Sequence, residues 1–193
     1  MRIRKELNNR NEFVYTARHI KSIVYGGLDG IITTFAIVAG VAGASLSANI
    51  ILILGFANLI ADGISMAVGD YLSTKAEVES HKNKILFKKI LRKKFKSIDS
   101  GRSPLKSGAI TFFSFFIFGF IPLLVYILQL FYPIKNAFIM SIILTGGALL
   151  ILGGFKSKIT GKSWIKSGIE TFTIGSIAAG VAYYIGYFVS TLI

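Results

Sequence analysis

The chain has 193 residues, 53% of them hydrophobic, and a formal net charge of +13. Its apolar residues come in blocks of about twenty, too long for ordinary core helices, which excludes a soluble globular domain and predicts an all-α integral membrane protein. Cysteine is absent, which removes disulfides, thiolate metal sites and thiol catalysis together.

Five transmembrane helices are predicted, at about residues 23–44, 50–72, 108–132, 137–155 and 168–193, in a single transmembrane domain over residues 1–193 with a basic linker at 73–106. Turn residues or charge separate them, without β-type alternation. Six Lys and Arg residues precede the first span, eleven lie in 73–106, four lie in 156–166, and only Lys135 faces the other way. This alternation is the positive-inside pattern, with the N-terminus cytoplasmic, the C-terminus outside and no nucleic acid as partner. The first twenty-two residues are polar and lack the apolar core of a signal peptide, so the first span is expected to stay in the protein.

In the first span Ser22, Gly26, Asp29, Thr33, Ala36, Gly40 and Ala44 share one helical face, small and polar along its length, and Gly30 follows the acid directly. In the second span, at about 100° per residue, Ser65, Asn58, Gly69, Asp62, Met66 and Asp70 fall on one stripe roughly 140° wide. A charge near the bilayer centre costs at least ~2.5 kcal/mol, so these acids are read first as pathway or ligand residues.

The short link Ser45 to Asn49 makes the two spans an antiparallel hairpin. Counting from Ala44 and Ile50 puts Asp29 level with Met66, puts Asp62 level with Thr33, and brings Asp70 close to the cytoplasmic surface. The prediction is a column of Asp70, then Met66 with Asp29, then Asp62 with Thr33 and Asn58. Carboxylates with one thioether suit a borderline divalent ion such as Fe²⁺ or Mn²⁺ better than Ca²⁺ or Mg²⁺, and the same acids can exchange protons for cations. One chain supplies too few ligands for a full shell, so two copies about a twofold axis are expected.

In the linker, Leu86, Phe87, Ile90, Leu91, Phe95 and Ile98 lie along one side of a helix and Lys88, Lys89, Arg92, Lys93 and Lys96 lie opposite. Such a basic amphipathic helix over 82–98 is expected on an anionic leaflet. Glu77, Glu79 and His81 read either as solvated side chains or as a metal-collecting cluster at the cytoplasmic mouth. Pro104 opens the third span and Pro122 is expected to bend it. The fourth span, with Gly146-Gly147 and Gly153-Gly154, reads as scaffold. In the fifth, Glu170 is expected to pair with Lys166 four residues earlier, or to line the mouth.

Tyr25-Gly26-Gly27-Leu28-Asp29-Gly30, Ala39-Gly40-Val41-Ala42-Gly43-Ala44 and Ser65-Met66-Ala67-Val68-Gly69-Asp70-Tyr71 resemble the vacuolar iron transporter family, which includes yeast vacuolar and nodulin-like members. Ser107-Gly108 with Gly119-Phe120-Ile121-Pro122-Leu123 resembles the family's third helix, and Gly175, Ala178-Ala179 and Tyr183 to Gly186 resemble its fifth. The resemblance implies a five-helix homodimer with the ion path between subunits, exporting Fe²⁺ or Mn²⁺ from the cytosol in exchange for protons. It matches Asp29 and Met66 to the family's intramembrane metal-binding acid and methionine. Asp70 stands where the family has Glu, and Asp62 where many members have a small residue. The linker lacks the glutamate-rich metal-collecting domain of iron-storing members.

No cofactor beyond the transported ion is expected. The alternative readings are a scaffold that binds anionic lipid through 82–98 and, last, an intramembrane aspartyl protease using Asp29 and Asp70. The protease reading is weakened by an offset of about 6 Å in depth between those acids and by the absence of a Pro-Ala-Leu run. The Lys- and Ile-rich composition, without targeting signals, points to a prokaryotic plasma membrane, or to the vacuolar membrane in a eukaryote.

Overall fold

A computed structural model describes residues 2–90, 103–161 and 163–193, with the side chains of 2–18, 81–90 and 158–160 outside the described set. It contains six helices among the described residues: α1 (Arg2–Gly43), α2 (Ala48–Ile90), α3 (Pro104–Gly119), α4 (Ile121–Gln129), α5 (Ala137–Thr160) and α6 (Trp164–Leu192). Four stretches are long and apolar enough to cross a membrane, His19–Gly43, Ala48–Ser80, Ala137–Ser157 and Trp164–Leu192. Counted as one span, the bent pair α3 and α4 would bring the number to five. The chain is therefore a multi-pass membrane protein.

α1 and α2 are 42 and 43 residues long, about 63 Å each at 1.5 Å per residue, roughly twice the ~30 Å hydrocarbon core. The predicted boundaries near residues 23 and 72 mark where the helices stop being apolar, not where they end. No proline interrupts either helix and no glycine precedes Gly26, so the polar halves continue the coil, and both project from the same end of the bundle. That end also carries Lys21, Lys75 and Lys106 and is called the basic end below. The predicted amphipathic helix is helical up to Ile90; its side chains, and residues 91–102, lie outside the described set.

The link between α1 and α2 is tighter than predicted. The Leu46 N–H donates to the Val41 carbonyl and the Ser45 N–H to the Ala42 carbonyl, closing a Schellman cap with Ser45 at φ 55°. α1 thus stops at Gly43 and α2 begins at Ala48.

Along most of their length the first two spans do not pack directly on one another, as a simple hairpin would. α3 is wedged between them and is the main neighbour of both. Glycines make room for its backbone. A Cβ on Gly26 would come to 2.8 Å from the Thr111 carbonyl oxygen, and one on Gly30 would strike the Phe115 carbonyl. From the other side a Cβ on Gly108 would meet the Ala67 carbonyl at 2.6 Å, and Gly63 lies against Phe112 and Phe115. Phe115, fully buried, is the residue on which both helices close, α1 on its backbone and α2 on its ring. Small residues at such crossings give the backbone-to-backbone contact that drives helix association in lipid.

The predicted bend is present. α3 and α4 meet at 46°, with Pro122 in the first turn of α4, where the N–H it lacks has no helical acceptor. The Pro122 carbonyl accepts a hydrogen bond from the Ser141 hydroxyl of α5 at 2.9 Å. α6 crosses α1 at a second glycine contact, where Gly40 and Gly43 meet Gly186 and Tyr183. It packs on α5 through Gly153 against Thr171 and Gly154 against Trp164.

Candidate functional site

The two intramembrane acids are level with one another. Asp29 and Asp62 each lie fourteen residues from the capped ends Gly43 and Ala48, so both sit about 21 Å below the turn. Two observations agree with this register: Gly30 and Gly63 both lie against Phe115, and the Ser22 hydroxyl reaches Asp70 at 3.3 Å. The predicted column was therefore shifted by about one turn. Asp29 is level with Asp62 rather than with Met66, and Met66 lies a turn nearer the basic end. The error came from placing the helix ends at Ala44 and Ile50, which overlooks the left-handed residue that shortens the link.

Both carboxylates are half-buried. Two carboxyl groups at one depth in a membrane-spanning region form an arrangement that a cation or a proton would relieve. Thr33, expected beside Asp62, donates to the Asp29 backbone carbonyl at 2.8 Å instead. Asn58, one turn further from the basic end than Asp62, has its side-chain nitrogen buried without a hydrogen-bond partner. Ser65 is exposed on the outer edge of the stripe, while Asn58, Asp62, Met66 and Asp70 are half-buried along its inner edge. In one chain the stripe is therefore split between a covered and an uncovered side. Gly26 and Gly30 support the site by letting α3 close against α1.

Asp70 sits in a shell of hydroxyls. Its Oδ2 accepts from Thr111 at 2.6 Å, Ser107 at 2.9 Å and Ser22 at 3.3 Å, and its Oδ1 from Thr74 at 3.4 Å. These donors come from α1, α2 and α3, and all four residues are buried. A carboxylate that gathers hydroxyls from three helices ties them together at the basic end. Sequence reasoning missed Ser107 and Thr111 as partners, although their spacing of four put both on one face of α3. Asp70, drawn into this shell, is not the carboxylate that faces Asp29, and the acid pair considered for protease chemistry is not formed.

Beside this shell a cleft of ≈ 480 Å³ opens at the basic end, lined by Lys21, Ser22, Tyr25, Met66, Gly69, Asp70, Ser73, Glu77 and Thr111. Met66 thus reaches both the cleft and the apolar core. The other residues expected at a mouth diverge. Glu79 lines a separate groove with Tyr71, Lys75 and Ser103. Glu170 pairs across helices with Lys156 at 3.5 Å, not along its own helix with Lys166, and the side chain of His81 lies outside the described set. Among the described residues no three His, Asp or Glu side chains gather into a group able to hold a metal. One chain offers the Asp29 and Asp62 pair, with Met66 and Asp70 along the way to the cleft.

A model of the VIT family matches residues 20–93 and 81–187. Among similar proteins, a vacuolar iron transporter of Toxoplasma gondii is 31% identical over 87% of this chain and 73% of its own length. One of Plasmodium berghei is 30% identical over 90% of this chain and 83% of its own length, and vacuolar iron transporter 1 of Arabidopsis thaliana is 27% identical over 92% and 89%. These alignments run to 221, 226 and 224 positions, more than the 193 residues here, so the relatives carry extra residues inside the matched region. The two family matches overlap at residues 81–93, in the basic linker.

Proposed function

The chain belongs to the VIT family, and on that premise we propose that it is a transporter of divalent transition-metal ions, Fe²⁺ or Mn²⁺, moving them out of the cytosol in exchange for protons. The observation that carries the reading is the pair of carboxylates Asp29 and Asp62, level with one another on the first two spans. In lipid such a pair is costly unless a cation or proton visits it. A divalent ion from the cytosol meets the cleft beside Glu77 and Asp70, passes Met66 and is held between Asp29 and Asp62. Protons compete for the same oxygens, which gives a route to exchange. The thioether of Met66 favours Fe²⁺ or Mn²⁺ over the harder Ca²⁺ and Mg²⁺.

The remaining ligands come from a second copy. The outer edge of the α2 stripe, Ala57, Ala61, Ser65 and Gly69, is uncovered in one chain, and it adjoins Asp62. A homodimer through that edge brings two acid pairs towards one axis. The excess of Lys and Arg at the basic end supports a cytosolic position for that end and the N-terminus, in a plasma or vacuolar membrane.

The test is flux of Fe²⁺ and Mn²⁺ into proteoliposomes holding the protein inside-out, with and without a pH gradient. Wild type should take up metal and release protons, and Asp29→Asn and Asp62→Asn should fold but lose at least about 90% of the flux. Equal flux in wild type and Asp29→Asn would falsify the carrier reading. It would then leave the acids as packing groups in a lipid-binding scaffold.

A further inference from the structure

We propose that Thr111 and Ser107 of α3 are positioning residues for cation capture, holding the Asp70 carboxylate in the orientation in which it receives a divalent ion from the cleft. The inference rests on the transport reading above and adds residues that lie outside the acid and methionine set.

Three donors converge on one oxygen. Oδ2 takes Thr111 at 2.6 Å, Ser107 at 2.9 Å and Ser22 at 3.3 Å, the two shortest from adjacent turns of one helix. Hydrogen bonds from two helices to a single carboxylate oxygen fix the group's rotation and turn that oxygen towards α3. The donors are themselves immobile: Ser107 is 1% and Thr111 2% exposed, and their backbones are clamped where Gly108 meets the Ala67 carbonyl and Gly26 meets the Thr111 carbonyl. Thr111 and Asp70 also line the same cleft as Met66 and Glu77, so the held carboxylate is in the wall past which an ion must travel. A carboxylate held in advance loses less freedom when an ion arrives than one that must be collected from several rotamers. α3 lies against both α1 and α2 and supplies the two shortest of these bonds.

The experiment measures Mn²⁺ flux in proteoliposomes against Mn²⁺ concentration for wild type, Thr111→Val, Thr111→Ser, Ser107→Ala and Ser114→Ala, with thermal unfolding of each. Ser114 serves as the structural control. Its hydroxyl is also buried and also joins α3 to α1, donating to the Ile23 carbonyl, but it does not touch Asp70. The expected result is that Thr111→Val and Ser107→Ala raise the half-saturating Mn²⁺ concentration about tenfold or more with a smaller change in maximal flux. Thr111→Ser should restore it, and Ser114→Ala should lower stability without moving half-saturation. If Thr111→Val moves half-saturation no further than Ser114→Ala, or lowers it because the hydroxyls only compete with the ion, the proposal is overturned. Absence of flux in the wild type would instead overturn the transport reading on which it stands.

Discussion

At the scale of single residues, stability and transport should separate. Asp62→Asn removes an acid level with Asp29, so the variant should unfold at a higher temperature than wild type while carrying no metal. A purely structural acid would show the reverse. Met66→Leu keeps the volume that packs on the apolar core and removes the sulfur, so stability should change by less than about 1.5 kcal/mol. Competition flux assays should then show Fe²⁺ losing severalfold of its advantage over Ca²⁺. Asn58 was legible as a polar position on the stripe, but its unpartnered amide nitrogen was not, since no helical wheel says which donors will find acceptors. The hydroxyl shell of Asp70 was equally hidden. Ser107 and Thr111 are 37 and 41 residues away in the chain, and only the insertion of α3 brings them to it.

At the scale of helices, the α1–α2 link and the α1–α3 crossing each give a prediction. Ser45 holds a left-handed conformation at φ 55°, which costs a residue with a Cβ about 1 kcal/mol and costs glycine almost nothing. Ser45→Gly should therefore raise stability by about 0.5 to 1 kcal/mol in chemical unfolding followed by the fluorescence of the single tryptophan, Trp164. At Gly30 the reverse holds. A methyl group there runs into the Phe115 carbonyl, and Gly30→Ala should destabilise the protein by about 1 to 3 kcal/mol by forcing α3 away from α1. Gly147, with open space around it, should accept alanine without loss. These two elements also show where the sequence was readable. Apolar runs pointed to the four stretches long enough to cross a membrane and to the bent pair, and Gly119 with Pro122 announced the bend. The small faces of α1 and α2 marked surfaces made for close contact, but the partner each surface meets is a property of the whole bundle. The simple hairpin was therefore replaced by one with α3 between its arms. The depth of Asp29 depended on one residue, Ser45, whose left-handed φ no propensity scale predicts for serine.

At the scale of the whole molecule, two outward faces differ in kind. α6 presents Ile174, Ile177, Val181, Ile185 and Phe188, bulky side chains that suit lipid tails. α2 presents Ala57, Ala61, Ser65 and Gly69 at every fourth position, all exposed, and Gly69 has nothing within 4 Å of a would-be Cβ. Small residues at that spacing forfeit contact with lipid but let another helix approach closely. In the proposed homodimer a twofold axis along α2 would make the contact isologous, so that a residue near the axis would meet its own copy. The absence of cysteine makes this directly measurable. Ala61→Cys should form a disulfide-linked dimer on mild oxidation in the membrane, and Ile177→Cys on α6 should not. Gly69→Leu, which fills the seam, should shift the protein from dimer to monomer and lower metal flux with it, since Asp62 lies beside the same edge. A cross-link at Ile177 with none at Ala61 would move the axis to α6 and leave the uncovered stripe of α2 facing lipid.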